Sequence, residues 1–409
     1  MTHQELIPHL FRTEFSKIVA VLCKLLGIEH IEIAEDVAGE TFLSALESWP
    51  YKGIPENPAA WLYTVAKNKA KNKLKRDQLF AGKITREIKK AIDENNEACI
   101  DLSDQNITDS QLQMLFAICH PSIAEESQIG LALRILCGFG PDEIANAFLT
   151  NRETINKRLF RAREKLRKEK IKIEFPGEKE IGKRIEPVLT ILYLLFNEGY
   201  YSESQNSILR EDLCLEAMRL TYLLIENEKT NLSPVNALLS LFCFHASRFE
   251  ARSNENGEIV LYQDQDRSKW NYELINKGIY YLQQASKGNM LTKYHLEASI
   301  AYWHTIKNDT QEKWDNILQL YNRLLQVEYS PIAALNRTYA LAKAHSKQEA
   351  IIEAEKLKLI NNPYYYSLLG HLYTGLDNEK AVGHLKMAIS LAKSAADRDV
   401  LNKRIKKIE

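Results

Sequence analysis

Residues 151–170 read NRETINKRLFRAREKLRKEK. At helical spacing Ile155, Leu159, Ala162 and Leu166 form one apolar stripe, while Arg152, Asn156, Lys157, Arg158, Phe160, Arg161 and Arg163 fall away from it or flank it. Amide and guanidinium donors on one helix face suit nucleic acid: Asn bonds adenine in a bidentate way, and Arg or Lys meets guanine or a phosphate. A merely solvated helix face is the plainer alternative. What precedes the helix favours DNA. PDEIANAF (141–148) places Ile144, Ala145 and Phe148 on a facing stripe, and LTN (149–151) is a three-residue turn. Thr150, with Glu153 three residues on, has the pattern of a capping box. Two short helices with a basic second member form a helix-turn-helix, whose second helix presents its N-terminal half to the major groove. The later basic residues, Arg163 among them, are expected to hold phosphates or face water.

A second basic helix is predicted over 58–76, opened by Asn57 as N-cap and Pro58 in the first turn. Lys67, Asn68, Lys71, Asn72, Lys75 and Arg76 share one face, with Trp61, Leu62, Val65 and Leu74 turned inward. Further along, Asp264, Asp266 and Arg267 lie together in YQDQDRSKW (262–270), Glu198 and Glu203 in LYLLFNEGYYSES (192–204), and His245 three residues before Arg248. Paired-carboxylate catalysis would need two such acids with their pKa values pushed apart by burial. No nucleophile elbow, phosphate loop or HExxH accompanies them. Buried Asp–Arg pairs bracing helix packing are the expected reading, and the chain is not read as an enzyme. Cys119-His120 lacks a second ligand pair, so neither a metal nor a cofactor is expected.

These elements sit in a chain of 409 residues with 16 Gly and 11 Pro, a composition that favours all-α structure. Formal net charge is zero, yet the charge is segregated. Residues 61–90 carry ten Lys+Arg against two Asp+Glu, 91–150 one against ten, and 151–176 ten against four. Local blocks, not the sum, set the field a phosphate backbone feels. No apolar run approaches eighteen residues, and the first residues do not read as a signal peptide, so a cytoplasmic protein without membrane contact is expected. Six scattered cysteines without CxxC spacing suit a reducing compartment. Helices are predicted over 5–27 and 31–48, the latter ending at Trp49-Pro50, with a loop over 51–58. The domain division is 1–80, a polar acidic linker at 81–110, a helix-turn-helix unit at 111–175, and a tail at 176–409 of amphipathic helices. EIVLYQ (258–263) is the one candidate strand. Tyr366, Leu369, Gly370, Tyr373, Ala381, Leu385 and Ala388 follow the small/large spacing of a tetratricopeptide repeat, repeated weakly over 333–357.

Two resemblances give these parts a shared meaning. AEDVAGETFLSALESWP (34–50) with NPAAWLYTVAKNKAKNKLKR (57–76) resembles region 2 of an extracytoplasmic-function (ECF) RNA polymerase sigma factor, and PDEIANAFLTNRETINKRLFRAREKLR (141–167) resembles region 4. The resemblance implies a subunit that joins core RNA polymerase, recognises the minus-35 element of promoter DNA with region 4, and melts the minus-10 element with region 2. By position it implies Asp36, Glu40 and Phe42 against the polymerase. It puts Arg152, Thr154, Asn156, Lys157, Arg158, Phe160 and Arg161 at minus-35, and Trp61, Lys67, Asn68, Lys71, Asn72, Lys75 and Arg76 at minus-10. The chain departs from the family at Gly39, where Gln is usual, and at Asn72, where Asp is usual. In the tail, LYLLFNEGY, DLCLEAMRL (212–220), LLSLFCFHASRFEAR (238–252), YQDQDRSKW, YHLEASIAYWH (294–304) and SPIAALNR (330–337) resemble the long C-terminal extension of one ECF subgroup. That implies a fused tetratricopeptide-like domain that controls the sigma unit. It leaves open whether the repeats bind a small molecule, a peptide, the polymerase or the sigma domains themselves. The rival is a stand-alone helix-turn-helix regulator with a sensing repeat domain.

Overall fold

A computed structural model describes residues 3–81, 100–148, 150–201, 211–252, 260, 262–392 and 395–409, and all regular structure among them is helical. The chain divides into two compact units, Met1–Glu198 and Gly199–Glu409.

In the first unit α1 (His3–Leu26), α2 (Ile31–Lys52) and α3 (Pro58–Ala81) pack together. Phe15, Ile18, Val19 and Leu22 on α1 meet Val37, Ala38, Phe42 and Ala45 on α2, all buried. Helix α2 runs past Trp49-Pro50 to Lys52. Pro50 is tolerated because it stands in the last turn, and Gly53, at φ 83°, closes the helix by donating its N–H to the Trp49 carbonyl at 3.0 Å. Asn57 caps α3 as expected, its Oδ1 accepting the Ala60 N–H at 3.0 Å. The inner face of α3 is Leu62, Ala66 and Ala70, and the two alanines let α3 approach closely; Trp61 and Val65 are only half-buried, and the Leu74 side chain lies outside what is described.

The expected linker is shorter than 81–110. Helix α4 (Asp104–Ile118) starts inside it, capped by Ser103, and buries Ile107 and Ser110. The acidic residues at its start suit a helix N-terminus, so polarity there signals a helix beginning as well as a linker. Residues 82–99 lie outside the described ones. Then come α5 (Glu125–Ile135), α6 (Pro141–Ala147), α7 (Arg152–Lys168) and α8 (Glu178–Tyr201). The division between the two units falls inside α8, later than the change of sequence texture near 177.

The second unit contains α9 (Glu211–Glu226), α10 (Ser233–Ala246), the short α11 (Phe249–Arg252), α12 (Tyr272–Ala285), α13 (Lys293–Thr305) and α14 (Gln311–Val327), followed by α15 (Pro331–Ala344), α16 (Lys347–Leu357), α17 (Pro363–Tyr373), α18 (Asn378–Leu391) and α19 (Ala395–Ile408). From α14 to α18 each helix starts at a polar N-cap whose side chain accepts a backbone N–H: Thr310, Ser330, Ser346, Asn362 and Asp377. Sequential helices share one core, including Trp314, Ile317, Leu335, Leu341, Ala350 and Leu369. Leu369, Gly370, Ala381, Leu385 and Ala388 are buried at the spacing read from the sequence. At Gly370 a Cβ would stand 2.7 Å from Leu385 Cγ, so α17 and α18 meet where only glycine fits. The candidate strand does not form where it is described. Tyr262 and Gln263 lie in a 3-10 turn (Tyr262–Asp264), while 258, 259 and 261 fall outside the described residues.

Candidate nucleic-acid interface and partner-binding face

Helix α7 starts one residue later than the capping pattern suggested. Its cap is Asn151, not Thr150: the Asn151 Oδ1 accepts the Thr154 N–H at 2.8 Å. Thr150 instead closes the turn, its N–H donating to the Ala145 carbonyl at 2.9 Å. The apolar stripe is as read. Ile155, Leu159, Ala162 and Leu166 are buried, and Leu159 lies against Gly130 of α5. On the opposite face Arg152, Asn156, Lys157, Phe160 and Arg161 are exposed, with Thr154 and Arg158 half-buried. Phe160 is 63% exposed, which no packing within the chain explains. The cations carry surface carboxylates: Arg152 meets Asp142 at 3.3 Å, Lys157 meets Glu153 at 2.7 Å and Arg158 meets Glu126 at 3.2 Å. Such exposed pairs contribute well under ~1 kcal/mol, so a phosphate displaces them at little cost.

Further along α7, Arg163 and Arg167 turn to the α2 side, while Lys165 and Lys168 stay exposed. Arg163 donates to Glu35 of α2 at 2.6 Å, and Arg134 of α5 donates to the same carboxylate at 2.8 Å. Arg167 reaches Glu32 at 3.3 Å and the Glu29 carbonyl at 3.3 Å. The expectation that Arg163 lies on a free phosphate-binding face is corrected, because Glu35 draws it into the contact with α2.

On α3, Asn68 and Asn72 are exposed, and Lys67, Lys71 and Trp61 half-buried. Trp61 packs edge-on against Trp49 at 5.4 Å. The side chains of Lys75 and Arg76 lie outside the described ones. The intervening Lys69 and Lys73 turn to α2, pairing with Glu40 at 3.7 Å and Asp36 at 3.0 Å. Asp36 and Glu40 nonetheless stay more than half exposed. Phe42 does not join them. It is 3% exposed and packs on Phe11, ring centroids 5.0 Å apart, so its ring belongs to the core and is closed to a partner. The apolar groups that α2 does present are Leu43 and Leu46, each 53% exposed, with Tyr51 at 89% in its last turn. Gly39 lies on the same face, with open space around its Cβ position. The sequence held this signal: at helical spacing 36, 39/40, 43 and 46/47 fall on one face.

Residues 10–79, which span these three helices, match the sigma-70 region 2 family. Residues 184–286 match a family of unknown function, DUF6596. An uncharacterized protein of Rhizobium meliloti (strain 1021) is 31% identical over 373 residues, which cover 90% of this chain and 88% of that protein. The chain belongs to that protein's family. No solved structure matches it significantly. The sigma-70 region 2 match supports a sigma-factor-like role in transcription initiation. It gives α2 and α3 a shared setting and leaves the helix-turn-helix to stand on its own geometry.

Among the described residues, the Asp264/Asp266 motif lacks the burial that a catalytic carboxylate pair needs. Asp264 and Asp266 are both exposed. Asp266 caps the 3-10 turn Arg267–Lys269, and the hydrogen bonds from Ser268 hold its carboxyl below the usual range, the reverse of what an acid catalyst needs. Arg267 donates to the Lys307 carbonyl at 2.8 Å and lies over the Trp270 ring. Bracing therefore comes from a guanidinium on a carbonyl and a ring, and the buried Asp–Arg pairs expected from the motif do not occur there. His245 accepts from Arg248 at 3.2 Å, both side chains half-buried. Glu203 lies outside the described residues. Cys119 is buried and His120 bonds Ser122 at 2.8 Å; among the described residues no metal-holding group of three is present. Among them, too, no helix is long and apolar enough to cross a membrane.

Burial and neighbouring cations keep three tail histidines neutral. His245 is held well below its usual range by burial, then Arg248 and Arg252. His304 is lowered to about 3 by burial, then Arg248 and Lys313, and His371 to about 4 by burial, then Arg404 and Lys347. Unfolding returns each to about 6.5. Below that value the unfolded chain binds more protons, so stability falls as pH drops from about 6.5 toward the folded values, by at most ~1.4 kcal/mol per pH unit for each ring. Thermal melts at about pH 7 and pH 5 are expected to show a lower midpoint at pH 5, and His304→Gln to shrink the difference. Equal midpoints would contradict the buried neutral state.

Proposed function

We propose that this chain is an RNA polymerase sigma factor of the ECF type, with a fused helical-repeat domain that controls it. The match of residues 10–79 to sigma-70 region 2 carries the proposal. The helix-turn-helix with an exposed amide, cationic and aromatic face supports it as region 4. Core RNA polymerase is met by the outer face of α2, through Asp36, Glu40, Leu43 and Leu46. Arg152, Thr154, Asn156, Lys157, Arg158, Phe160 and Arg161 meet the minus-35 element. Trp61, Lys67, Asn68, Lys71, Asn72, Lys75 and Arg76 meet the minus-10 element, where a single strand drawn from the duplex gains from stacking on an aromatic ring and from nearby cations. The tail, with tetratricopeptide-like hairpins at α15–α16 and α17–α18, acts on the sigma unit or the polymerase. Bond making belongs to the polymerase, so the chain itself needs no catalytic residue or cofactor.

Run-off transcription tests this. Fragmented host DNA is transcribed by core polymerase with residues 1–409, and new RNA starts are mapped. Discrete starts that require the chain are expected. No defined starts, on a core that answers another sigma factor, would leave the stand-alone regulator in its place.

Base reading has its own test. Asn156→Ala is expected to weaken binding at promoters carrying the cognate adenine by about 1–3 kcal/mol and to spare others. Replacing each minus-35 thymine with uracil removes only the methyl group that Phe160 would touch, so one position should lose affinity in the wild type and not in Phe160→Ala. Unchanged relative promoter use in Asn156→Ala would mean that α7 does not read bases there.

A further inference from the structure

We infer that the second unit holds a binding site for a small oxyanion that carries its own O–H, such as a 2-hydroxy acid or inorganic phosphate, built by Arg248, Gln265, Trp270 and His304 around the Tyr262 ring. Four of the tail stretches that stand apart in the sequence meet there. They are LYLLFNEGY through Tyr200, LLSLFCFHASRFEAR through His245 and Arg248, YQDQDRSKW through Tyr262, Gln265 and Trp270, and YHLEASIAYWH through His304. The Tyr262 ring lies 6.1 Å from that of Trp270 and 5.1 Å from that of His304, centroid to centroid, and the Arg248 guanidinium stands 5.5 Å from its centre. Tyr262 itself is tied down: its O–H donates to the His304 carbonyl at 2.5 Å, and its carbonyl accepts the Gln265 N–H at 3.4 Å. The groups around it are not. Trp270 is 4% exposed, and its Nε1–H has no partner; His304 Nδ1 and Gln265 Oε1 are likewise buried without one. Three of the six such side-chain atoms among the described residues thus surround one ring. A fold seldom leaves even one buried polar group unmet, so the cluster points to a partner from outside the chain.

Charge selects the kind of partner. Arg248 donates to the Tyr200 hydroxyl at 3.3 Å and to His245 Nδ1 at 3.2 Å, and Arg267 to the Lys307 carbonyl at 2.8 Å, so both guanidiniums meet neutral groups. Burial first, and Arg248 next, keep His245 and His304 uncharged. The acids nearby do not answer this charge. Asp264 and Asp266 stand exposed, and Asp309 is taken by the Trp314 Nε1–H at 2.5 Å, Lys343 at 3.7 Å and Lys313 at 3.9 Å. A half-buried guanidinium among neutral groups keeps N–H donors in the fork geometry that a carboxylate or phosphate fills in a bidentate way. Trp270 Nε1–H adds one more donor for the same anion. Gln265 Oε1 only accepts, so the occupant must bring an O–H, which lactate and inorganic phosphate have and acetate lacks.

The experiment is calorimetric titration of the full chain with lactate, inorganic phosphate and acetate. No polymerase is present, so its failure leaves the sigma reading untouched. Saturable binding of lactate or phosphate is expected, about tenfold or more tighter than acetate, and the tighter of the two names the source. Arg248→Met should weaken that ligand about a hundredfold. Because Arg248 also braces Tyr200 and His245, Gln265→Met keeps the test separate from folding. It gives up only an Nε2–H bond to the Val260 carbonyl at 3.4 Å, and should lower affinity about tenfold, to the level of acetate. With the indole nitrogens of all five tryptophans isotope-labelled, the Trp270 N–H signal should move most during the titration while those of Trp49 and Trp61 stay. No saturable binding of lactate or phosphate, acetate bound as tightly, or an unmoved Trp270 signal overturns the inference and leaves the three atoms to water.

Discussion

Replacing Leu159 with Asp is expected to unfold the helix-turn-helix. Leu159 is 5% exposed, on the stripe that α7 turns to the rest of its unit, and its Cδ2 lies 3.6 Å from the Cβ position of Gly130. The substitution removes a buried side chain of the kind whose loss costs about 2–5 kcal/mol, and puts a charged carboxylate on a buried apolar stripe. Against a total stability of roughly 5–15 kcal/mol, such a loss leaves α5–α7 largely unfolded. Circular dichroism and limited proteolysis of the full chain check it: reduced helicity and cleavage between 120 and 170 are expected. Lys157→Asp, on the exposed face of the same helix, should stay folded and lose DNA binding. A folded, cooperative Leu159→Asp protein would show that α7 does not bury this stripe.

The second large effect concerns the polymerase. Leu43→Asp combined with Leu46→Asp should leave stability within about 0.5 kcal/mol, because both side chains already stand in water. On the proposed function it should cost about 3 kcal/mol or more of binding to core polymerase, over a hundredfold, since aliphatic groups at the centre of an interface carry much of its energy. Phe42→Asp would also lose binding, by collapsing the contact with Phe11 and Phe15, and so cannot separate fold from interface. A pull-down against core polymerase, with melting curves on the same samples, distinguishes the cases. Full binding by the Leu43/Leu46 variant would place the polymerase on another face.

Much of this was legible in the residues. The stripe Ile155, Leu159, Ala162, Leu166 and the cap at Asn57 depend on neighbours within one helical turn or two, and both stand in the structure as read. The exposed face of α7 followed from the same periodicity. Phe42 shows where that method fails. A large apolar residue at a helix surface and one in a core look alike in a sequence, and the Phe11 and Phe15 rings of another helix decided between them. The tail acids show the converse, since polar side chains close in sequence suggested buried pairs, and capping claimed Asp266 first.

By itself the sequence determined an all-helical chain, a basic helix-turn-helix and the order of its parts. Those follow from local propensity and from which stripe each helix must hide from water. Only the tertiary structure decided that Arg163 meets Glu35, 128 residues away, and that Asp36 and Glu40 pair with Lys73 and Lys69. The physical reason is that a charge has no period. An apolar residue must be buried somewhere on its own stripe, whereas a guanidinium is satisfied by water, a phosphate or a distant carboxylate, and only the packing of other helices settles which one it meets.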